Sequence, residues 1–146
     1  MQWGKLDVLI VDLPPGTGDV QMTLSQKTRL AGAVVVSTPQ DIALLDALKG
    51  INMFRKMKVP ILGLIENMAS FVCGKCGATH HPFGNGGARS QASKLNIPFL
   101  GEIPLELDTR IASDGGVPIV VTKPNSATAI AFKDIASSLY SSIKTI

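Results

Sequence analysis

Residues 32–66 read GAVVVSTPQDIALLDALKGINMFRKMKVPILGLIE, and their two periodicities decide the fold. Gly32 to Ser37 and Ile61 to Glu66 are continuous Val/Ile/Leu runs of strand length, the signature of strands covered on both faces. Between them Asp41 to Met57 places Leu44, Leu45, Leu48, Ile51 and Phe54 near a 3.6-residue spacing, which makes one apolar helical stripe. Asp41, after Pro39, is placed to cap that helix. Strand, helix, strand in this order is a βαβ unit, and the sheet it builds is parallel.

The same alternation extends in both directions. Asp7 to Asp12 reads as a further buried strand, as do Phe99 to Ile103 and, more weakly, Pro118 to Val121. Ser126 to Ile143 reads as a helix with Ser126 as cap and Ile130, Phe132, Ile135, Leu139 and Ile143 facing inward. The expected class is α/β, a parallel sheet flanked by helices, in one domain over residues 1–146. Met68 to Arg89 breaks the pattern: it lacks periodicity, is rich in glycine, and holds both cysteines and both histidines. Loops of that length inside compact domains are usually functional or disordered. Its backbone freedom and few apolar residues predict the least protected segment of the metal-free chain.

Composition narrows the function. With 45% hydrophobic and 17% charged residues the 146-residue chain buries a core rather than staying disordered. No apolar run approaches the roughly 20 residues of a membrane-spanning helix. The net charge of +3 comes from scattered Lys and Arg, not the clustered basic face of a nucleic-acid binder. Met1 to Lys5 shows neither a secretory signal nor an Arg-rich transit pattern. Two cysteines separated by two residues cannot staple a long loop, so a reducing compartment is the expected setting.

Three motifs carry chemistry. Asp12-Leu13-Pro14-Pro15-Gly16-Thr17-Gly18-Asp19 follows a strand candidate, which would hang Asp12 at the carboxyl edge of the sheet, where ligands of open α/β folds bind. A carboxylate there holds Mg²⁺ through water, and the glycines let backbone N–H groups approach phosphate; the alternative is an ordinary Pro-Gly turn. Cys73-Gly74-Lys75-Cys76-Gly77 offers two thiolates, whereas tetrahedral zinc or a four-iron cluster needs four ligands. His80 and His81 could complete a zinc knuckle, or two chains could each donate a pair. A thioredoxin-like redox pair and two unmodified thiols are the remaining readings. Consecutive histidines diverge, so at least one of them is by default a solvated loop residue. Asn67, closing Gly63-Leu64-Ile65-Glu66-Asn67-Met68, can read a purine edge or simply cap a turn.

Taken together, Asp7 to Asp19, Ser37-Thr38-Pro39-Gln40, Gly63 to Met68, the CxxC, Phe83-Gly84 and Gly101-Glu102-Ile103-Pro104-Leu105 resemble the Mrp-type (ApbC-like) iron–sulfur carrier P-loop NTPases, relatives of MinD and the nitrogenase iron protein. The resemblance implies a MinD-like fold, and ATP and Mg²⁺ as cofactors. Asp12 would be the magnesium and catalytic carboxylate, with Gly16, Thr17 and Gly18 in the γ-phosphate switch. Asn67 and Pro104 would lie on the nucleotide. Cys73 and Cys76 would bridge a [4Fe–4S] cluster to the same pair of a second subunit. The implied partners are a homodimer mate and iron–sulfur apoprotein recipients, in the cytoplasm or, in a eukaryote, the mitochondrial matrix. A zinc-bridged dimeric binding module without nucleotide function is the competing class. The sequence departs from the family in one respect: it contains no G-x-x-x-x-G-K-[ST], since Gly4-Lys5 precedes Leu6 and Gly74-Lys75 precedes Cys76. The match is thus expected to cover the C-terminal part of the family domain, without its first strand and P-loop helix. Lacking the phosphate cradle, these residues alone are not expected to hydrolyse ATP.

Overall fold

The computed structural model describes residues 3–144; Met1 and Gln2 of the N-terminal pattern lie outside them. Four strands form one sheet: β1 (Ala33–Ser37), β2 (Ile61–Val72), β3 (Thr79–His80) and β4 (Phe99–Leu105). β1 and β4 both run parallel to β2, with Val35 opposite Leu64 and Glu66 opposite Glu102. β3 is antiparallel to the outer end of β2, with Phe71 opposite His80. Phe71 also pairs with Leu105, so β3 takes the edge of β2 that β1 leaves after Glu66.

The helices are α1 (Asp19–Lys27), α2 (Asp41–Lys56), α3 (Gly87–Leu95), α4 (Leu107–Asp114), α5 (Ile119–Thr122) and α6 (Ala127–Ile143). Neighbouring strand residues serve opposite layers, as the apolar runs require. Val35, Leu64 and Phe99 pack with Leu44 of α2 and Ala88 and Ala92 of α3. Val34, Ile65, Leu100 and Ile103 pack with Ile135 and Leu139 of α6. A third cluster, Ala33, Phe54 and Val59 with Leu13 and Leu30 against it, closes the end where β1 begins.

β1, α2 and the closing helix match their expected spans within a residue, and β2 begins where expected, at Ile61. Ser126 caps α6 through its hydroxyl, which accepts Ala129 N–H at 3.1 Å. Other expectations are corrected. Asp7 to Asp12 forms no strand, because a strand exists only by pairing and none of the described residues pairs with it; Ile10 is 85% exposed. Pro118 to Val121 is not a strand, since Pro118 starts the short α5, accepting N–H bonds from Val121 and Thr122. β2 does not stop at Glu66 but continues to Val72, and Thr79–His80 folds back on it, so much of 68–89 is strand, hairpin and helix. Gln40, not Asp41, is the cap residue of α2, with Asp41 in its first turn. On α6, Thr128 and Ala129 take the buried places near β4, where Thr128 Oγ1 donates to Pro104 O at 3.3 Å, and Ile130 and Phe132 remain exposed.

Candidate functional site

The two cysteines sit at the tip of the β2–β3 hairpin. Within β2, Met68 takes a left-handed conformation (φ +57°), its N–H accepted by Asn67 Oδ1 at 2.9 Å. The register with β4 slips between Asn67 and Phe71, and beyond this kink the strand pairs with β3. Cys73 N–H donates to Ala78 O at 2.9 Å, and Gly77 N–H to Cys73 O at 2.9 Å. Gly77 has φ +71°, a conformation suited to glycine. Cys73 is half-buried and Cys76 exposed, both as free thiols.

Backbone N–H groups of Lys75 and Cys76, together with the Cys76 side chain, hold the Cys73 thiol below its ordinary pKa, outweighing slight desolvation. The thiolate is both metal ligand and nucleophile. The lowered pKa favours the charged sulfur that a metal binds. Among the described residues no group of three or more His, Cys, Asp or Glu side chains is placed to hold one ion. His81 donates through Nδ1 to Ala69 O at 2.7 Å, four residues before Cys73. The single-chain zinc knuckle using His80 and His81 is therefore not formed. Nor is the thioredoxin arrangement, since the pair sits in a hairpin and not at a helix start.

A second region lies midway along β2, where β1 ends, and beside the carboxyl end of β4. Asn67 is opposite Ile103, and Pro104 follows. Asn67 lies within β2 and not at a turn, and its Oδ1 accepts the N–H of Met68. Just past Pro104, at the start of α4, Glu106 Oε2 and Thr109 Oγ1 are buried without a hydrogen-bond partner. Unpartnered buried polar atoms are costly, and two at the ligand edge fit a polar group supplied by a ligand. Sequence reasoning missed both; their helix-capping positions were the available signal.

The Asp12 segment is not brought to that edge. Leu13 packs into the cluster at the opposite end, where β1 begins, and Asp12 is exposed. The expected position depended on Asp7 to Asp12 pairing into the sheet, and without a ladder nothing registers Asp12 at the carboxyl edge. Gly16 (φ +93°), Thr17 and Gly18 form an exposed turn before α1. Gln21 Nε2 holds this turn, donating to Pro14 O at 2.6 Å and Gly16 O at 3.1 Å. The site residues thus fall into three places: the hairpin tip, the Asn67–Pro104 edge and the Asp12–Gly18 turn.

Glu66, also missed as a site residue, is a fully buried carboxylate between the hairpin and α3. A charged residue ending an aliphatic run was its signal.

Comparison with known proteins gives a consistent picture. A family model described as ParA, NUBPL iron-transfer P-loop NTPase, matches residues 1–140. The chain is 51% identical over 146 residues to an Arabidopsis thaliana protein named iron-sulfur protein required for NADH dehydrogenase, mitochondrial, covering all of this chain and 47% of that one. It is 52% identical over 144 residues to the iron-sulfur cluster transfer protein NUBPL of Dictyostelium discoideum, covering 99% and 45%. It is 48% identical over 134 residues to the iron-sulfur cluster carrier protein of Escherichia coli, covering 92% and 36%. The chain therefore spans about half the length, or less, of these curated relatives. Among solved structures it resembles the nucleotide-binding protein of Archaeoglobus fulgidus in complex with ADP, at TM-score 0.69 and 45% identity over 78% of this chain and 47% of that one. The cell division ATPase MinD of Pyrococcus furiosus follows at TM-score 0.59 and 25% identity, covering 76% and 43%.

Proposed function

This chain belongs to the NUBPL-type iron-transfer P-loop NTPases of the ParA family, and we propose that its hairpin carries an iron–sulfur cluster, held as [4Fe–4S] between Cys73 and Cys76 and the same pair of a second copy. The observation that carries this reading is the hairpin turn closed by Cys73 N–H on Ala78 O and Gly77 N–H on Cys73 O, which presents Cys73 and the exposed Cys76 together as free thiols. Two thiolates are half of the ligand set that a four-iron cluster takes. The cluster is cargo: it leaves when thiolates of a recipient apoprotein replace these. A reducing compartment, cytoplasm or mitochondrial matrix, keeps the pair free for that exchange.

Nucleotide handling is the second half of the proposal. Asn67 and Pro104 would face the base, with Glu106 Oε2 and Thr109 Oγ1 as the unpartnered atoms it could satisfy. Asp12 lies in a separate exposed turn; it would hold Mg²⁺ through water, and Gly16, Thr17 and Gly18 would respond to the γ-phosphate, once that turn is carried to the Asn67–Pro104 edge. In that scheme nucleotide binding gates loading or release of the cluster.

Anaerobic reconstitution followed by iron counting, visible absorption and sizing tests the reading. The expected result is one coloured cluster per pair of chains, lost in Cys73→Ser/Cys76→Ser. Four irons on a monomer, or a cluster kept by the double variant, overturns the bridged site. A colourless zinc-bound dimer overturns the iron–sulfur assignment, since d¹⁰ zinc has no visible absorption.

A further inference from the structure

Glu66 has no surface exposure, and among the described residues no cation is paired with it. A buried charge is unfavourable unless it is bonded, and both oxygens of this one are. Oε1 accepts Gly86 N–H at 3.1 Å, and Oε2 accepts Ala88 N–H at 2.6 Å. Gly86 is the cap residue of α3 and Ala88 its second residue. These N–H groups have no partner within the helix, and the partial positive charge of the helix start is what faces the carboxylate. Gly87 lies between them, and a Cβ there would sit 2.7 Å from Pro39 O and 2.9 Å from Leu44 Cδ1. The start of α3 is thus wedged between the loop after β1 and the Glu66 carboxylate.

The chain leaving the cysteine turn is tied to β2 step by step. Ala78 O is on Cys73 N–H, His80 is opposite Phe71, His81 is on Ala69 O, and Gly86 N–H is on Glu66. Below that point the same edge of β2 is occupied by β1, whose last pair is Ser37 with Glu66. Glu66 is therefore the last tie of the return limb, placed where no sheet pairing remains to hold it. An aliphatic residue would fill the same buried place beside Leu64 and Ile65 but would leave the limb and the helix start unanchored.

From this geometry we infer that Glu66 is a positioning residue for the metal hairpin: by fixing the return limb at the start of α3, it holds the turn in which Cys73 and Cys76 are presented together. The inference rests on the reading that the hairpin binds metal, but hairpin closure is also measurable without metal. The test compares wild type with Glu66→Gln, which keeps the shape but turns an amide donor toward an N–H donor. Glu66→Asp is the milder second variant, retaining the charge while reaching only one of the two donors. Ile135→Val and Ile135→Ala, on the opposite face of the sheet, bracket the accompanying loss of Tm. Two readouts are used: amide exchange of Cys73 and Gly77 in the metal-free chain, and Co²⁺ titration followed by thiolate-to-cobalt charge-transfer absorption.

The expected result is exchange and Co²⁺ dissociation constants each raised about tenfold or more in Glu66→Gln, the scale seen when groups supporting metal ligands are removed. Glu66→Asp falls between, and the Ile135 variants of equal Tm stay at wild type. Wild-type behaviour in both Glu66 variants overturns the role of Glu66, and so do equal shifts in the Ile135 variants. A wild-type chain without any cobalt–thiolate band overturns the metal reading of the hairpin, and this inference with it.

Discussion

His81 Nδ1 lies 2.7 Å from the carbonyl oxygen of Ala69, twelve residues earlier in the chain. A carbonyl only accepts, so the ring proton is on Nδ1 and the imidazole is a tie of the return limb to β2. At about 3.3 Å per residue, Ala69 is some 13 Å along the strand from Cys73. His81 is therefore a clasp and not a ligand. His81→Ala should speed amide exchange of the hairpin while leaving the wavelength of the cobalt–thiolate band in place. His80→Ala should change neither. A band shifted in His81→Ala would mean that imidazole enters the coordination sphere.

The contrast between what was and was not legible in the sequence follows from what each feature depends on. Val34 and Val35, or Leu64 and Ile65, serve opposite layers, so a continuous apolar run was enough to place β1, β2 and the helix between them. The CxxC was legible because its chemistry is local to four residues. Asp12 was not, because its place depends on whether Asp7 to Asp12 finds a ladder partner, a property of the whole sheet. The outer half of β2 was hidden by the glycines that follow it, although Phe71 and Val72 directly precede Cys73. α3 was hidden because GARSQASKL is mostly polar and begins with glycine; its only signal was Ala88 and Ala92, four apart and fully buried.

Nucleotide binding by these 146 residues should be weak. Asn67 and Pro104 sit at the carboxyl edge, but Asp12 lies elsewhere, and the sequence has no G-x-x-x-x-G-K-[ST] to surround the β- and γ-phosphates. Calorimetric titration with Mg-ATP should show no saturable heat at micromolar concentration. Tight binding would show that residues other than a P-loop neutralise the phosphates.

The pH dependence of Cys73 follows from its hydrogen bonds. N–H donors of Lys75 and Cys76 favour the thiolate and lower the pKa in the folded chain. In the unfolded chain the thiol titrates near its ordinary value, about 8.5. A folded value below the unfolded one gives a stabilisation present above the unfolded pKa and lost as pH falls through the folded one. Because the sulfur is close to solvent, reactivity is the better probe than stability. Alkylation of Cys73, measured from pH 5 to 10 and resolved from Cys76 by cleavage at Lys75, should reach half its maximal rate at lower pH in the native chain than in urea. Coincident midpoints would mean that the N–H donors do not reach the sulfur in solution.

Gly74 and Gly77 lie in the same turn and should respond unequally to substitution. Neither has a heavy atom within 4 Å of an added Cβ, so crowding does not separate them. Conformation does: Gly77 has φ +71°, whereas Gly74 is not among the positive-φ residues. A side chain in the left-handed region costs about 1–2 kcal/mol, least for Asn, whose short polar group tolerates it. Since Gly77 N–H closes the turn onto Cys73 O, that cost falls on the bond which sets the cysteine spacing. Metal-free exchange of the Gly77 and Cys73 amides and Co²⁺ affinity should worsen in the order Gly77→Asn, Gly77→Ala, Gly77→Val, while Gly74→Ala stays close to wild type. If Gly74→Ala is as damaging as Gly77→Val, the turn is held by something other than its left-handed residue, and the positioning of the two thiolates has to be sought in the β2–β3 pairing instead.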